Sequence, residues 1–243
     1  MKTYVNQISG IDDAIVSLYM SKRSWNRDME MEIRKICRNV LNYNGSLKEN
    51  AESIDGYEQF QNWMDTLTRW GTHHITLLRF IDFSITVEGL HRAGQDDWDA
   101  HAMRFNNRII RNSTRIKGSN FEYEVSSWYE DKILPTDIAL KELKIELPES
   151  IEHNGKIYVK GTNGYIVKGC ENMPDVKRGL YMLSIPSSFI FKVNLTEWAH
   201  VYKERNASGS ANPEVKACCE SIADQLEQFH SQFNRKLFQD VRN

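Results

Sequence analysis

Between Phe80 and Leu90 apolar and polar residues alternate without a break, Ile81, Phe83, Ile85 and Val87 against Asp82, Ser84, Thr86 and Glu88. A period of two is that of a β-strand with one face buried, so this stretch must be a rigid element laid on a core. Chemically active side chains crowd both of its ends. His73-His74-Ile75-Thr76 precedes it; Arg92, then Arg104, Arg108, Arg111 and Arg115 follow, with Ser113 among the last. Guanidinium groups meet phosphate or carboxylate in a fixed fork geometry, so the cluster points to an anionic ligand. A solvated basic face is the other reading of the same run.

Around this spine the pattern is mostly helical. Tyr4–Ser9 reads as a short opening strand, followed by a helix capped by Asp12 or Asp13 and faced by Ile15, Leu18 and Tyr19. Met31, Ile33, Ile36, Val40 and Leu41 predict a second helix over 28–42, and Phe60, Trp63, Met64 and Leu67 a third over 57–69. Residues 42–46, Asn-Tyr-Asn-Gly-Ser, form a loop between them. Beyond Arg115, residues 121–125 alternate like an edge strand, Thr136 caps a short helix, and 148–155 is loop. Two β-rich runs, 156–160 and 165–168, flank an Asn-Gly turn and predict a hairpin. Residues 174–183 read as a helix start, Ile185-Pro186 as a stop, 189–193 as a buried strand, 194–205 as a helix and 214–241 as one closing helix. On the helix from Asn194 to Arg205 these two residues are eleven apart, within about 20° of one face and roughly 16 Å along the axis, so they can grip two ends of one long ligand.

Composition narrows the function classes. A net charge of −2 gives no global positive field to hold a nucleic acid polymer. No run of apolar residues is long enough to span a membrane and the N-terminus lacks a signal pattern, so a cytoplasmic protein without membrane contact is expected. The four cysteines show no zinc spacing and read as reduced, mostly buried thiols, and no metal site is expected. Gly-rich phosphate loops of the dinucleotide or Walker type are missing from the sequence.

Taken together, the segments resemble the flavin-dependent thymidylate synthases over most of the chain. That family carries a Gly-His-x-Ser/Thr element before a strand, a Glu-Gly-x-Ser-Arg-Ala turn and an Arg-His-Arg signature ending in Ser-x-Arg. It also carries an Ala-Arg-x-x-Leu-Pro element and a helix with Asn and Arg eleven apart. The corresponding residues here are His74-Ile-Thr76, Glu88-Gly-Leu-His-Arg92-Ala93, Ser113-Thr-Arg115, Arg178-Gly-Leu-Tyr-Met-Leu-Ser, and Asn194 through Arg205. Arg178 and Asn194 are sixteen apart, as in the family. The departures are concentrated in the signature. Met103-Arg104-Phe105 stands where Arg-His-Arg belongs, unless a one-residue deletion makes Arg104 its first arginine. Arg111 replaces a frequent glutamate, His200 a common asparagine and Lys177 an alanine, and 95–100 carries a short insertion.

The resemblance implies an α+β fold, a central antiparallel sheet flanked by helices, formed by 1–243 as a single domain and assembled as a homotetramer with shared active sites. It implies that Ser113, Arg115 and Arg178 hold the phosphate and sugar of a pyrimidine nucleotide, and that Arg205 is the catalytic group beside the base. Arg104 would serve the nucleotide or the flavin according to register, and His74, Thr76, Asn194 and His200 would line FAD. NADPH and methylenetetrahydrofolate would be the co-substrates, converting dUMP to dTMP in the simplest case. UMP as substrate, a hydroxymethyl product, or a non-catalytic relative are the alternatives. Individually, His74 also suits a structural histidine, Asn194 a helix cap, and Arg178 and Arg205 interface ion pairs.

Overall fold

The computed structural model describes residues 1–100, 108–113, 124–161, 163–173, 176, 179–180, 183–207 and 212–240. In chain order the elements are β1 (Lys2–Ser9), α1 (Ile11–Ser21), α2 (Arg27–Val40), a 3-10 turn (Ala51–Ser53), α3 (Tyr57–Gly71), α4 (Ile75–Leu78) and β2 (Asp82–His91). There follow α5 (Arg92–Ala100), β3 (Arg108–Arg111), α6 (Thr136–Glu142), β4 (Ser150–His153), β5 (Lys156–Gly161), β6 (Gly164–Val167) and β7 (Pro186–Asn194). The last helices are α7 (Leu195–Ala207), α8 (Pro213–Phe229) and α9 (Arg235–Asp240). The expected α+β class holds, with one sheet in the order β1-β2-β7-β3 and another in the order β4-β5-β6. By packing, the chain forms two compact units. One comprises Lys2–Val87, Asp96–Ile110 and Phe189–Asn243, and the other comprises Met1, Glu88–Gln95 and Arg111–Ser188.

In the first unit the alternation of β2 does what its period requires: Ile81, Phe83, Ile85 and Val87 are fully buried. Phe189, Phe191 and Val193 of β7 are buried in the same alternate manner. Trp98 of α5 packs against Phe189, Phe191 and Trp198 at ring-centroid distances of 5.8, 5.1 and 5.9 Å. Trp198 in turn meets Phe238 of α9 edge-on at 6.2 Å. Large rings contribute the most buried apolar area per residue, so this cluster fixes α5, α7 and α9 around the end of β7. β1 is an edge strand, and α8 covers it: the Val5 amide donates to Gln225 Oε1 at 2.8 Å and Gln225 Nε2 donates to the Thr3 carbonyl at 2.9 Å. A side-chain amide thus takes the place of a neighbouring strand. Burial pushes the Cys37 thiol up to about 12 and raises Cys218 and Cys219 as well, so these thiols are held protonated and inert.

His230, between α8 and α9, is almost wholly buried and its Nε2 donates to the Gly45 carbonyl at 2.7 Å. Nδ1 is buried with no hydrogen-bond partner among the described residues, so a second proton would place an unmatched charge in the core. Burial therefore lowers the imidazole from 6.5 to about 4, against a small opposing effect of the Gly45 bond. A base with a depressed folded-state pKa contributes stability that is fully present above its unfolded value and is lost as pH falls towards the folded one. Between pH 6.5 and about 4 the protein is expected to lose roughly 3 kcal/mol from this residue, read by urea unfolding at successive pH values. His230→Gln should flatten that slope; an unchanged slope would contradict the assignment.

The second unit contains the predicted hairpin, β5 with β6 antiparallel and Gly161 opposite Gly164. It also contains β4, antiparallel to β5, where the sequence reads as loop because Ser150–His153 is exposed along its whole length and shows no alternation. Other expectations are corrected. The cap of α1 is Gly10 in the left-handed region at φ 80, with Asp12 and Asp13 in the first turn, where Arg34 of α2 binds both. The space beside Gly10 is closed to any side chain by the Phe80 carbonyl. Pro135 precedes α6 in place of Thr136, and Pro186 opens β7 where a stop was expected. The closing helix is two helices, interrupted where His230 turns towards Gly45. Arg108 and Arg111 stand on a strand, β3. The strand predicted over 121–125 and the helix start over 174–183 lie largely outside the described residues.

Candidate functional site

α7 brings the sequence-predicted residues of the first unit together. Its entry is set by Asn194, whose Oδ1 accepts from the Glu197 amide at 2.9 Å, the bond of an N-cap. The Leu195 amide donates to the Ile81 carbonyl at 2.8 Å, tying the helix start to the head of β2. Thr196 Oγ1 donates to the Ile75 carbonyl at 3.0 Å, so the His74–Thr76 segment sits at the same helix end although about 120 residues separate them in sequence.

That segment is the first turn of α4 and is exposed. The His74 ring lies nearly parallel to Trp70, with centroids 5.8 Å apart and 15° between planes, and Lys22 Nζ sits 4.9 Å from the Trp70 centroid. Trp70 is 40% exposed and the hydroxyl-bearing Thr76 is exposed as well. A flat stacked pair open to solvent, beside a hydroxyl and a cation, suits a planar heterocycle with an anionic appendage. Sequence reasoning missed Trp70 and Lys22. Trp70 stands at the end of α3 and His74 caps α4 four residues on, so closeness in sequence across the turn was the available signal.

At the other end of α7, Arg205 is 5% exposed. Its Nη1 pairs with Asp97 Oδ1 at 3.0 Å and its Nη2 donates to the Asp97 backbone carbonyl. Trp98, next in sequence, is locked in the aromatic cluster and so fixes the carbonyl that Arg205 reaches. Asp97 was not legible as a partner, since it lies 108 residues away in the segment read only as an insertion. His200, midway along α7, has Nδ1 3.7 Å from Glu204 Oε1. Ser113 is exposed just past β3, in the second unit. Arg111 of that unit donates from Nη2 to the Gln95 carbonyl at 3.0 Å. Arg104, Arg115 and Arg178 lie outside the described residues.

Among the described residues no group of three His, Cys, Asp or Glu side chains could hold a metal ion, and no helix is long and apolar enough to cross a membrane. No protein-family profile matches the chain, and no curated protein matches it in sequence. Among solved structures it is similar to thymidylate synthase X of Helicobacter pylori in a crystal structure with FAD and dUMP, at 13% identity and a TM-score of 0.55 over 99% of both chains. A second structure, the flavin-dependent thymidylate synthase of the same organism complexed with FAD and dUMP, aligns over 100% of both chains at 12% identity and a TM-score of 0.52. The chain therefore has the fold of these flavin-dependent synthases from end to end.

Proposed function

We propose that the chain, acting over 1–243 as one functional domain in a cytoplasmic homotetramer, is an FAD-dependent enzyme that transfers a one-carbon unit from methylenetetrahydrofolate to C5 of a uracil nucleotide, dUMP to dTMP in the simplest case. The observation that carries the reading is the Thr196–Ile75 hydrogen bond, which gathers His74, Thr76 and Asn194 at one end of a helix whose other end bears Arg205. Independent structural roles would have no reason to meet in this way on a fold shared with proteins crystallised with FAD and dUMP.

The residues present fit a flavin. The exposed His74–Trp70 stack offers a flat face, Thr76 a hydroxyl for the edge of a ring system, and Lys22 a positive charge suited to a phosphate. His74, Thr76, Asn194 and His200 would hold FAD, which when bound supplies the hydride taken from NADPH. Ser113, Arg115 and Arg178, with Arg104, would hold the nucleotide phosphate and sugar by charge-assisted hydrogen bonds. Arg205 would stabilise negative charge developing on the pyrimidine carbonyl and ring nitrogen, a role for which a preorganised guanidinium is effective because little reorganisation accompanies the reaction. Asp97 supplies that preorganisation by fixing two of the arginine nitrogens.

The same ion pair favours a second reading. An arginine neutralised by a carboxylate suits a relative that binds flavin or nucleotide without the ordinary reaction, or that acts on UMP or leaves a hydroxymethyl group. FAD binding separates both readings from an oligomeric scaffold. Purified protein is expected to take up FAD stoichiometrically with quenching of flavin fluorescence, and His74→Ala to weaken uptake at least tenfold. Protein that takes up no FAD would remove both flavin readings.

A further inference from the structure

Arg205 lies in the last turn of α7, which ends at Ala207. A last turn is where a helix frays, because its final carbonyls lack intrahelical partners. Asp97 fixes the tip of the arginine side chain, but a tip is held only as well as the backbone that carries it. That backbone is gripped from α8. Glu220 Oε1 accepts from the Tyr202 hydroxyl at 3.1 Å and from Asn206 Nδ2 at 2.5 Å, so the bonds fall on either side of Arg205 in the chain. The other oxygen, Oε2, accepts from Arg235 Nε of α9 at 2.7 Å. One carboxylate therefore ties the last turn of α7 to α8 and α9 at once.

Tyr202 and Asn206 are four apart and share one face of the helix, with Arg205 turned roughly 100° from Asn206. Fixing that face fixes the rotation of the last turn about the helix axis, and so the direction in which Arg205 leaves it. Tyr202 is itself 1% exposed and packed on Trp198 and Phe238. Burial raises its hydroxyl above the ordinary value, so it stays a donor to the carboxylate at neutral pH. We infer that Glu220 is a positioning residue for Arg205, holding the last turn of α7 in the orientation from which the guanidinium meets the developing charge. The inference rests on Arg205 acting beside the uracil base, and Glu220 acts through α7, not by contact with the nucleotide. Its side chain is 35% exposed, so replacing it opens no cavity in the core.

The test compares Glu220→Ala, Glu220→Gln and Gln225→Ala by steady-state kinetics on dUMP and by hydrogen exchange of the amides in 203–207. Glutamine keeps an oxygen for Tyr202 and Asn206, whereas Gln225→Ala cuts the tie between the same helix and β1 and so loosens the fold elsewhere. Glu220→Ala should lower kcat about tenfold or more and speed exchange in 203–207 about tenfold, with the KM for dUMP and FAD uptake within about twofold of the unsubstituted protein. Glu220→Gln should recover most of both losses, and Gln225→Ala should melt lower at unchanged kcat. Unaltered kcat or unaltered exchange in Glu220→Ala, a glutamine variant as impaired as the alanine one, or an equal kcat loss in Gln225→Ala would each overturn the inference. An unsubstituted protein that leaves dUMP unchanged would sink the reading of the reaction instead, and the exchange comparison would then decide whether Glu220 holds the turn that carries Arg205.

Discussion

Arg205→Ala is expected to lower kcat for dTMP formation by about 10²–10³-fold or more while leaving FAD uptake intact. The magnitude is that of removing one preorganised donor from a site of developing negative charge. The selectivity follows from position, because Arg205 and the His74–Thr76 segment occupy opposite ends of α7, roughly 16 Å apart. The fold should survive the change. Asp97, left without its partner, has a side chain 37% exposed and can be rehydrated, which limits the penalty that a fully buried orphan charge would carry. Arg205→Lys keeps the charge but loses the two-pronged contact with Asp97, so it should be intermediate. Full activity in Arg205→Ala would remove Arg205 from the mechanism.

The largest stability effect is expected at Trp98. Its ring is 1% exposed and touches Phe189, Phe191 and Trp198, so alanine removes the common neighbour of three other rings. Truncation of a fully buried large ring costs about 3–5 kcal/mol, and for a chain of this size the melting temperature should fall on the order of 10 °C. Trp98→Phe retains most of the contact and should cost about half as much or less. A Trp98→Ala protein that melts with the wild type would show that the cluster does not anchor α5, and with it the carbonyl that Arg205 reaches.

Much of this was legible in the sequence where one local period dominates. The alternation of 80–90 placed β2 and its buried face, and the Asn-Gly turn placed the β5–β6 hairpin, because both signals are set by neighbouring residues. β4 escaped notice because its side chains are exposed on both faces and carry no period. The break in the final helix escaped because its cause is distant: His230 leaves the helix to reach Gly45, 185 residues earlier. The candidate site divides along the same line. His74, Thr76, Asn194 and Arg205 were proposed from motif spacing, whereas Asp97 has no motif and neither has Trp70, which lies just past the third predicted helix although its exposed ring stands beside His74. The cap at Asn194 was visible from its place ahead of an apolar helix, and the structure forms that bond.

The central claim is tested most directly by supplying FAD-loaded protein with NADPH, methylenetetrahydrofolate and either dUMP or UMP, and identifying the nucleotide product by mass. The account predicts a nucleotide enlarged at C5 by one carbon, dTMP from dUMP in the leading case. Unchanged dUMP and UMP in the presence of saturably bound FAD would contradict it.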